Sequence, residues 1–241
     1  MSSSASTPTF PWNVLVTGAS RGMGRYLAER FLHQGHRVIG CSRHDTDLVH
    51  PQYRHLHVDV QHETDIKRLM RAIQDDYRQL HVLINNAGVF FMRLSIRTPL
   101  IAAEEVMRTN FLGTFLLCRE AAKLMIRQRY GRIVNIGTVA APMRVAGESV
   151  YAASKAAVLT FTQILARELG TFNVTCNMVG PTPVKTGMIA DVQEAQLANI
   201  VDALAVKRLG TLEDVAHVVE FFVKPESANV TGEVIYLGGV S

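Results

Sequence analysis

The chain has 241 residues and no linker-like stretch divides it, which suits one large α/β domain over 11–241 behind a polar, flexible tail over 1–10 that lacks the pattern of a signal peptide. A formal charge of +4 with its basic residues scattered along the chain argues against nucleic-acid binding, and no metal or disulfide spacing links Cys41, Cys118 and Cys176, which read as reduced core residues. No apolar stretch of about 18 or more residues is free of charges, so no membrane association and a cytoplasmic location are expected. In chain order, a short apolar strand over 13–17 runs into the glycine-rich turn TGASRGMG (17–24), which opens a helix over 25–32 that closes at Gly35. Strands over 36–41 and 55–59 follow, then a helix over 63–77 in which Ile66, Leu69, Met70 and Ile73 recur at helical spacing. A fourth strand over 82–85, a long helix over 102–128, a fifth strand over 132–136 and a helix over 150–169 continue the alternation. The last strands lie at 174–179 and 234–237. Continuous apolar strands separated by helices imply an α/β fold of Rossmann type: a doubly wound, seven-stranded, mainly parallel sheet with helices on both faces and ligands beyond the carboxyl ends of its strands.

Two motifs carry chemistry. In the turn, Gly18, Gly22 and Gly24 let the backbone bend tightly and approach a pyrophosphate, and Ser20, Arg21 and Met23 stand between them at a helix N-terminus with its partial positive charge. In YAASK (151–155), Tyr151 and Lys155 lie four apart on one helix face, so the ammonium can approach the phenol and lower a pKa that starts near about 10. Asp59 and Val60 end the third strand, where the carboxylate can accept from an adenine amino group or cap a turn, and NNAG (85–88), with Asn86, Ala87 and Gly88, ends the fourth beside the same crevice. His44, His50, His55, His57 and His62 crowd one region, with His55 and His57 on one side of a strand. Ligands arranged in depth are missing, so no metal is expected.

With TGASRGMG, NNAG, Asn110 and YAASK in family order and at family spacing, the chain resembles the short-chain dehydrogenases/reductases over 13–239. Segments 131–137, 165–168 and 208–210 are most similar to the β-ketoacyl-acyl carrier protein reductases. The resemblance implies that Tyr151 protonates a carbonyl oxygen as hydride arrives from a nicotinamide, that Lys155 holds the nicotinamide ribose, and that Asn110 anchors a water that relays protons to Lys155. Thr138 stands where the family usually has a serine. It keeps the hydroxyl but adds a methyl and a stiffer χ1. After the sixth strand the family's Pro-Gly pair is replaced by Pro181 and Thr182, with Pro183 next, which should stiffen the loop that brings Val184 and Thr186 to the cofactor.

Where NAD-preferring members carry an acid, this chain has Ser42. Arg43 and Arg21 can then converge on a 2′-phosphate, so NADP(H) is the expected cofactor, with Asp45 and Asp47 as the opposing residues. A lid over 186–204 with Met188, Ile189 and Leu197 is expected to close the pocket, and Phe90, Phe91, Met92, Met143 and Val145 either line it or belong to the core. Arg93 and Arg144 could meet a substrate carboxylate or phosphate or lie on the surface. Arg129 occupies one of two carrier-docking positions while Phe172 replaces an arginine at the other, so the small-molecule carbonyl substrate is either free or carrier-bound. Apolar positions on the two long helices, Val106, Phe115, Leu116, Val158, Phe161 and Ile164, exceed what one sheet face requires, and the resemblance implies a homotetramer with a dimer as the fallback. An NADPH-dependent ketone or β-ketoacyl reductase is the leading reading. A cofactor-binding homologue with a partner or regulatory role, its turnover weakened by the changes at Thr138 and Thr182, is the other.

Overall fold

The computed structural model describes residues 11–189 and 192–240, so the tail over 1–10 lies outside the described residues. The elements are β1 (Asn13–Thr17), α1 (Gly22–His33), β2 (Arg37–Ser42), β3 (Tyr53–His57), α2 (Glu63–Tyr77), β4 (Val82–Asn85), α3 (Leu100–Val106), α4 (Gly113–Gln128), β5 (Gly131–Ile136), α5 (Ala140–Met143), α6 (Ser149–Leu169), β6 (Val174–Gly180), α7 (Glu194–Ala203), α8 (Leu212–Val223) and β7 (Val234–Tyr236). The strands form one sheet in the order β3-β2-β1-β4-β5-β6-β7, and every neighbouring pair is parallel. This is the doubly wound, Rossmann-type arrangement that the alternation implies.

Strand alternation builds two cores. Leu15, Ile39, Leu83, Ile133 and Cys176 point to one face, under Ile66 and Ile73 of α2, Leu117 of α4 and Leu165 of α6. Val14, Val16, Val38, Ile84 and Val134 point to the other, under Leu27 and Phe31 of α1 and Val215, Val219 and Phe222 of α8. Cys41, Cys118 and Cys176 are buried free thiols. Among the described residues no helix is long and apolar enough to cross a membrane, and no three His, Cys, Asp or Glu side chains group to hold a metal ion. His55 instead bonds Ser42 at 3.0 Å and Tyr53 at 2.8 Å, and His57 meets Asp45 at 2.6 Å.

Four expectations need correction. The third strand begins at Tyr53 and ends at His57, two residues before its expected span, because Val58 makes the last backbone bond to Ser42 and the Asp59 amide is taken by the Asp65 carboxylate. It is also half-exposed, as an edge strand must be, and not continuously apolar. The helix over 102–128 is continuous in backbone conformation from Leu100 but carries a π-helical turn at Met107–Leu112 between α3 and α4. Of the apolar positions set aside for an interface, Val106 and Val158 are buried within the chain, whereas Ile164 is 52% exposed.

Candidate active site

The order of strand addition reverses between β1 and β4, which opens a crevice at their carboxyl ends. A cleft of about 500 Å³ occupies that place, and its floor is the glycine turn. Gly18, with φ of +66°, sits against the β4 exit: a Cβ there would come within 2.9 Å of the Asn86 amide nitrogen and 3.1 Å of the Ala87 Cα. A Cβ at Gly24 would strike the Gly18 carbonyl, which is why α1 can start directly beneath the turn. The Thr17 hydroxyl accepts from the Asn86 and Ala87 amides at 3.0 and 2.9 Å, and Asn86 Nδ2 donates back to the Thr17 carbonyl at 2.9 Å, tying β1 to β4. Ser20, Arg21, Gly22 and Met23 line the cleft where α1 begins, with no side chain capping the helix, so its first N–H groups remain for a ligand.

Along the cleft, Ser42 ends β2 and Arg43 follows it, Asp59 and Val60 follow β3, and Asn86, Ala87 and Gly88 follow β4. Asp59 lines the cleft and also caps a turn, accepting from the Gln61 amide at 3.0 Å. The two acids that opposed a phosphate are engaged elsewhere: Asp45 holds His57, Asp47 holds Arg25, and neither lines the cleft. At its other end, Pro181, Val184 and Thr186 come from the loop after β6. Thr182 fixes that loop by accepting from the Gly210 amide at 2.8 Å, and a Cβ at Gly238 would lie 2.8 Å from its methyl.

Thr138, Tyr151 and Lys155 meet in the same cleft. The Lys155 ammonium, 5% exposed, donates to the Ile136 carbonyl at 2.7 Å, and burial brings its pKa down to about 8. The expected lowering of the Tyr151 pKa by Lys155 is not seen. Burial first, and then the nearby Glu148 carboxyl, push the phenol up to about 12, while a hydrogen bond with the Thr138 side chain pulls the other way. A phenol in this state is a loaded proton donor at neutral pH. Its ring lies edge-on to Phe90 at 4.9 Å. The Thr138 hydroxyl accepts from the Ala140 amide at 3.1 Å, which fixes the rotamer beside Tyr151.

Asn110 and Gly24 stand behind the cleft wall instead of in it. Asn110 is wholly buried in the π-helical turn, where its side chain accepts from the Val89 amide at 2.9 Å and donates to the Val89 carbonyl at 3.0 Å and Ser154 at 3.1 Å. It therefore links the β4 exit to α6. Phe90, Val145, Ile189 and Leu197 line the cleft; Phe91, Met92, Met143, Arg93 and Arg144 do not. Met92 is turned against Gly147, and the Arg93 amide is tied to the Gly147 carbonyl at 2.7 Å. The side chain of Met188 lies outside the described residues. Arg129 and Phe172, compared in sequence as a docking pair, meet each other, the guanidinium 5.8 Å from the ring centre.

Among the cleft residues that sequence reasoning missed, Thr109 and Glu148 carry polar groups of consequence. Thr109 precedes Asn110 in the π-helical turn, and its buried hydroxyl finds no partner among the described residues. Glu148 is 5% exposed, and burial pushes its carboxyl up to about 7. It stands three residues before Tyr151, just ahead of the helix that carries it.

Comparison with known proteins agrees with this geometry. The short chain dehydrogenase family model matches residues 12–197. The 3-oxoacyl-(acyl-carrier-protein) reductase FabG of Vibrio cholerae is 33% identical over 231 residues, covering 93% of this chain and 95% of that protein. Its counterpart from Aquifex aeolicus is 34% identical over 235 residues with the same coverage. Among solved structures, the ligand-free aldohexose dehydrogenase of Thermoplasma acidophilum superposes with a TM-score of 0.86 at 29% identity, over 95% of this chain and 93% of that one.

Proposed function

The chain belongs to the short chain dehydrogenase family, and from that premise we propose that it is an NADPH-dependent oxidoreductase that reduces a ketone to a secondary alcohol, acting in the cytoplasm as a homotetramer. The observation that carries the reading is the convergence of Tyr151, Thr138 and Lys155 in the cleft whose other end is the glycine turn. A dinucleotide fits the residues present: Gly18 keeps the turn free of a side chain, the first N–H groups of α1 are uncapped, and the buried Thr109 hydroxyl awaits a partner. Arg21 and Arg43 line the cleft while Asp45 and Asp47 are engaged outside it, which supports NADP over NAD.

When bound, the nicotinamide supplies the hydride. The chain's own residues do the rest. Tyr151 gives its phenolic proton to the carbonyl oxygen, and the Thr138 hydroxyl holds that oxygen in line with it. Lys155, fixed by the Ile136 carbonyl, sets its ammonium one helical turn beyond Tyr151, where it would hold the nicotinamide ribose. Asn110 holds the Gly88–Val89 corner against α6 and so positions both. Segment 186–204, from which Ile189, Leu197 and Ile200 reach the cleft, serves as its lid. The hydroxyl retained at Thr138 favours turnover over a weakly active cofactor-binding role.

Tyr151→Phe removes the proton donor and little binding surface, so turnover of NADPH with a ketone should fall on the order of a hundredfold or more with NADPH affinity near wild type. Retained turnover would sink the mechanism. Arg43→Glu should weaken NADPH binding at least about tenfold and NADH binding little, because a charged hydrogen bond to phosphate is worth roughly 1.5–3 kcal/mol. Fluorescence titration with both cofactors checks this, and an equal loss for each removes the phosphate argument.

A further inference from the structure

A carboxylate in an apolar site without a partner costs so much that buried acids are found paired, hydrogen-bonded or engaged by a ligand. Glu148, 5% exposed, meets that rule only through the cleft it lines. It stands at the N-terminal boundary of α6, three residues before Tyr151, and lines the cleft beside Phe90 and Val145. No hydrogen bond or ion pair reaches its carboxylate among the described residues: the one influence on it is burial, and it performs no side-chain cap for α6. The basic groups nearest in role are committed or absent from this end. Lys155 points at the Ile136 carbonyl, and Arg93 and Arg144 lie outside the cleft. Of the proposed lid, Ile189, Val192, Leu197 and Ile200 line the cleft with apolar side chains, and Thr186 is its one polar lining residue among the described residues. The acid is therefore the polar group at the substrate end that the proton-transfer set leaves unused.

We propose that Glu148 is a specificity residue whose carboxylate takes a hydroxyl of the substrate close to its carbonyl, so that the natural substrate is a hydroxylated carbonyl compound and not a plain alkyl ketone. Glu148 and Tyr151 line the same cleft, and the Glu148 carboxyl is near enough to bear on the Tyr151 phenol. A carbonyl oxygen at the Tyr151 phenol thus puts a hydroxyl on an adjacent carbon within reach of Glu148. A hydroxyl suits this group better than an ammonium does. It donates to the ionised carboxylate and accepts from the protonated acid, so it is held in both states of a group that titrates near neutral pH. A site built around a buried polar partner rejects the analogue that lacks the hydroxyl, because the partner is then left unpaired. This inference rests on the reductase reading above and narrows its substrate class.

The test compares hydroxyacetone with butanone, in which a methyl replaces the hydroxyl at nearly the same volume, on wild type, Glu148→Gln and Glu148→Leu. Turnover is measured with NADPH, and binding by saturation-transfer NMR on the protein loaded with NADP⁺, where no reduction occurs. Wild type should favour hydroxyacetone at least about tenfold in kcat/KM and in binding. Glu148→Leu should bring the ratio to near one, and Glu148→Gln, which keeps an acceptor oxygen, should fall between them. Equal use of both ketones by wild type, or a ratio unchanged in Glu148→Leu, would overturn the assignment while leaving the reductase reading intact. Hydroxyacetone bound through Glu148 but never reduced would keep the assignment and overturn the reductase reading. Circular dichroism of both variants guards against loss of fold, and an unfolded Glu148→Leu transfers the decision to Glu148→Gln, where an unchanged ratio overturns the proposal.

Discussion

Burying an unpaired acid lowers stability in a way that pH reveals. The Glu148 carboxyl is raised to about 7 in the folded chain, from an ordinary value of roughly 4.3 when unfolded. Below the unfolded value both states are protonated and the burial carries no ionic penalty. Between the two values the folded state binds more protons than the unfolded one, so stability falls as pH rises, and above about 7 the full penalty, on the order of 3–4 kcal/mol, remains. Glu148→Gln removes the charge and keeps the shape. Its melting temperature should exceed wild type by several degrees at pH 8, with the gap largely gone at pH 5. Calorimetry at the two values checks this, and a gap independent of pH would mean that the carboxylate is not desolvated. The same residue marks a limit of the sequence. The motifs made the glycine turn, Tyr151, Lys155 and Thr138 legible as a group, because their chemistry depends on residue type and spacing. Glu148 has no motif, and only the cleft wall shows that its spacing from Tyr151 has consequences.

At the level of elements, legibility followed burial. The spans of β1, β4 and α2 match the sequence reading, since each has a strong pattern: two strands buried throughout, and a helix with Ile66, Leu69, Met70 and Ile73 on one side. The edge strand β3 slipped because its residues alternate weakly, and the π-helical turn was invisible because one extra residue per turn leaves no compositional trace. Helix α8 escaped notice although Thr211 and Asp214 form a capping box and Val215, Val219 and Phe222 repeat at helical spacing. The loop after β6 has more than its prolines to set it. Its course is also fixed by Thr182, whose hydroxyl accepts from the Gly210 amide and whose methyl packs at Gly238. Thr182→Gly, which restores the family's usual residue, should lose that bond and packing and lower stability by about 1–2 kcal/mol in urea unfolding. No loss would mean that Pro181 and Pro183 hold the loop unaided.

For the molecule as a whole, the open question is what covers α4 and α6. Phe115 and Phe161 stack edge-to-face at 5.7 Å, Phe111 joins Phe161 at 6.3 Å, and all three are only partly buried. Leu112 is 45% and Ile164 52% exposed on the same two-helix surface, and Arg119 lies over the Phe115 ring. A continuous apolar surface of this kind, on helices that also carry Asn110 and Tyr151, fits a two-fold contact in which each copy covers the other and steadies the site helices. Phe221, 44% exposed on α8, offers a second apolar contact on the opposite face of the sheet. Two such contacts generate a tetramer, and the first alone gives a dimer. Interfaces on the order of 2,000 Å² or more would keep either assembled at assay concentrations. Ile164→Glu places a charge in the first contact and should drive the protein toward smaller species, whereas Phe221→Glu should yield dimers. Light scattering at micromolar concentration reads both: a stable, active monomer of 26.6 kDa as the wild-type form would show that these helix faces tolerate water and that the assembly reading is wrong.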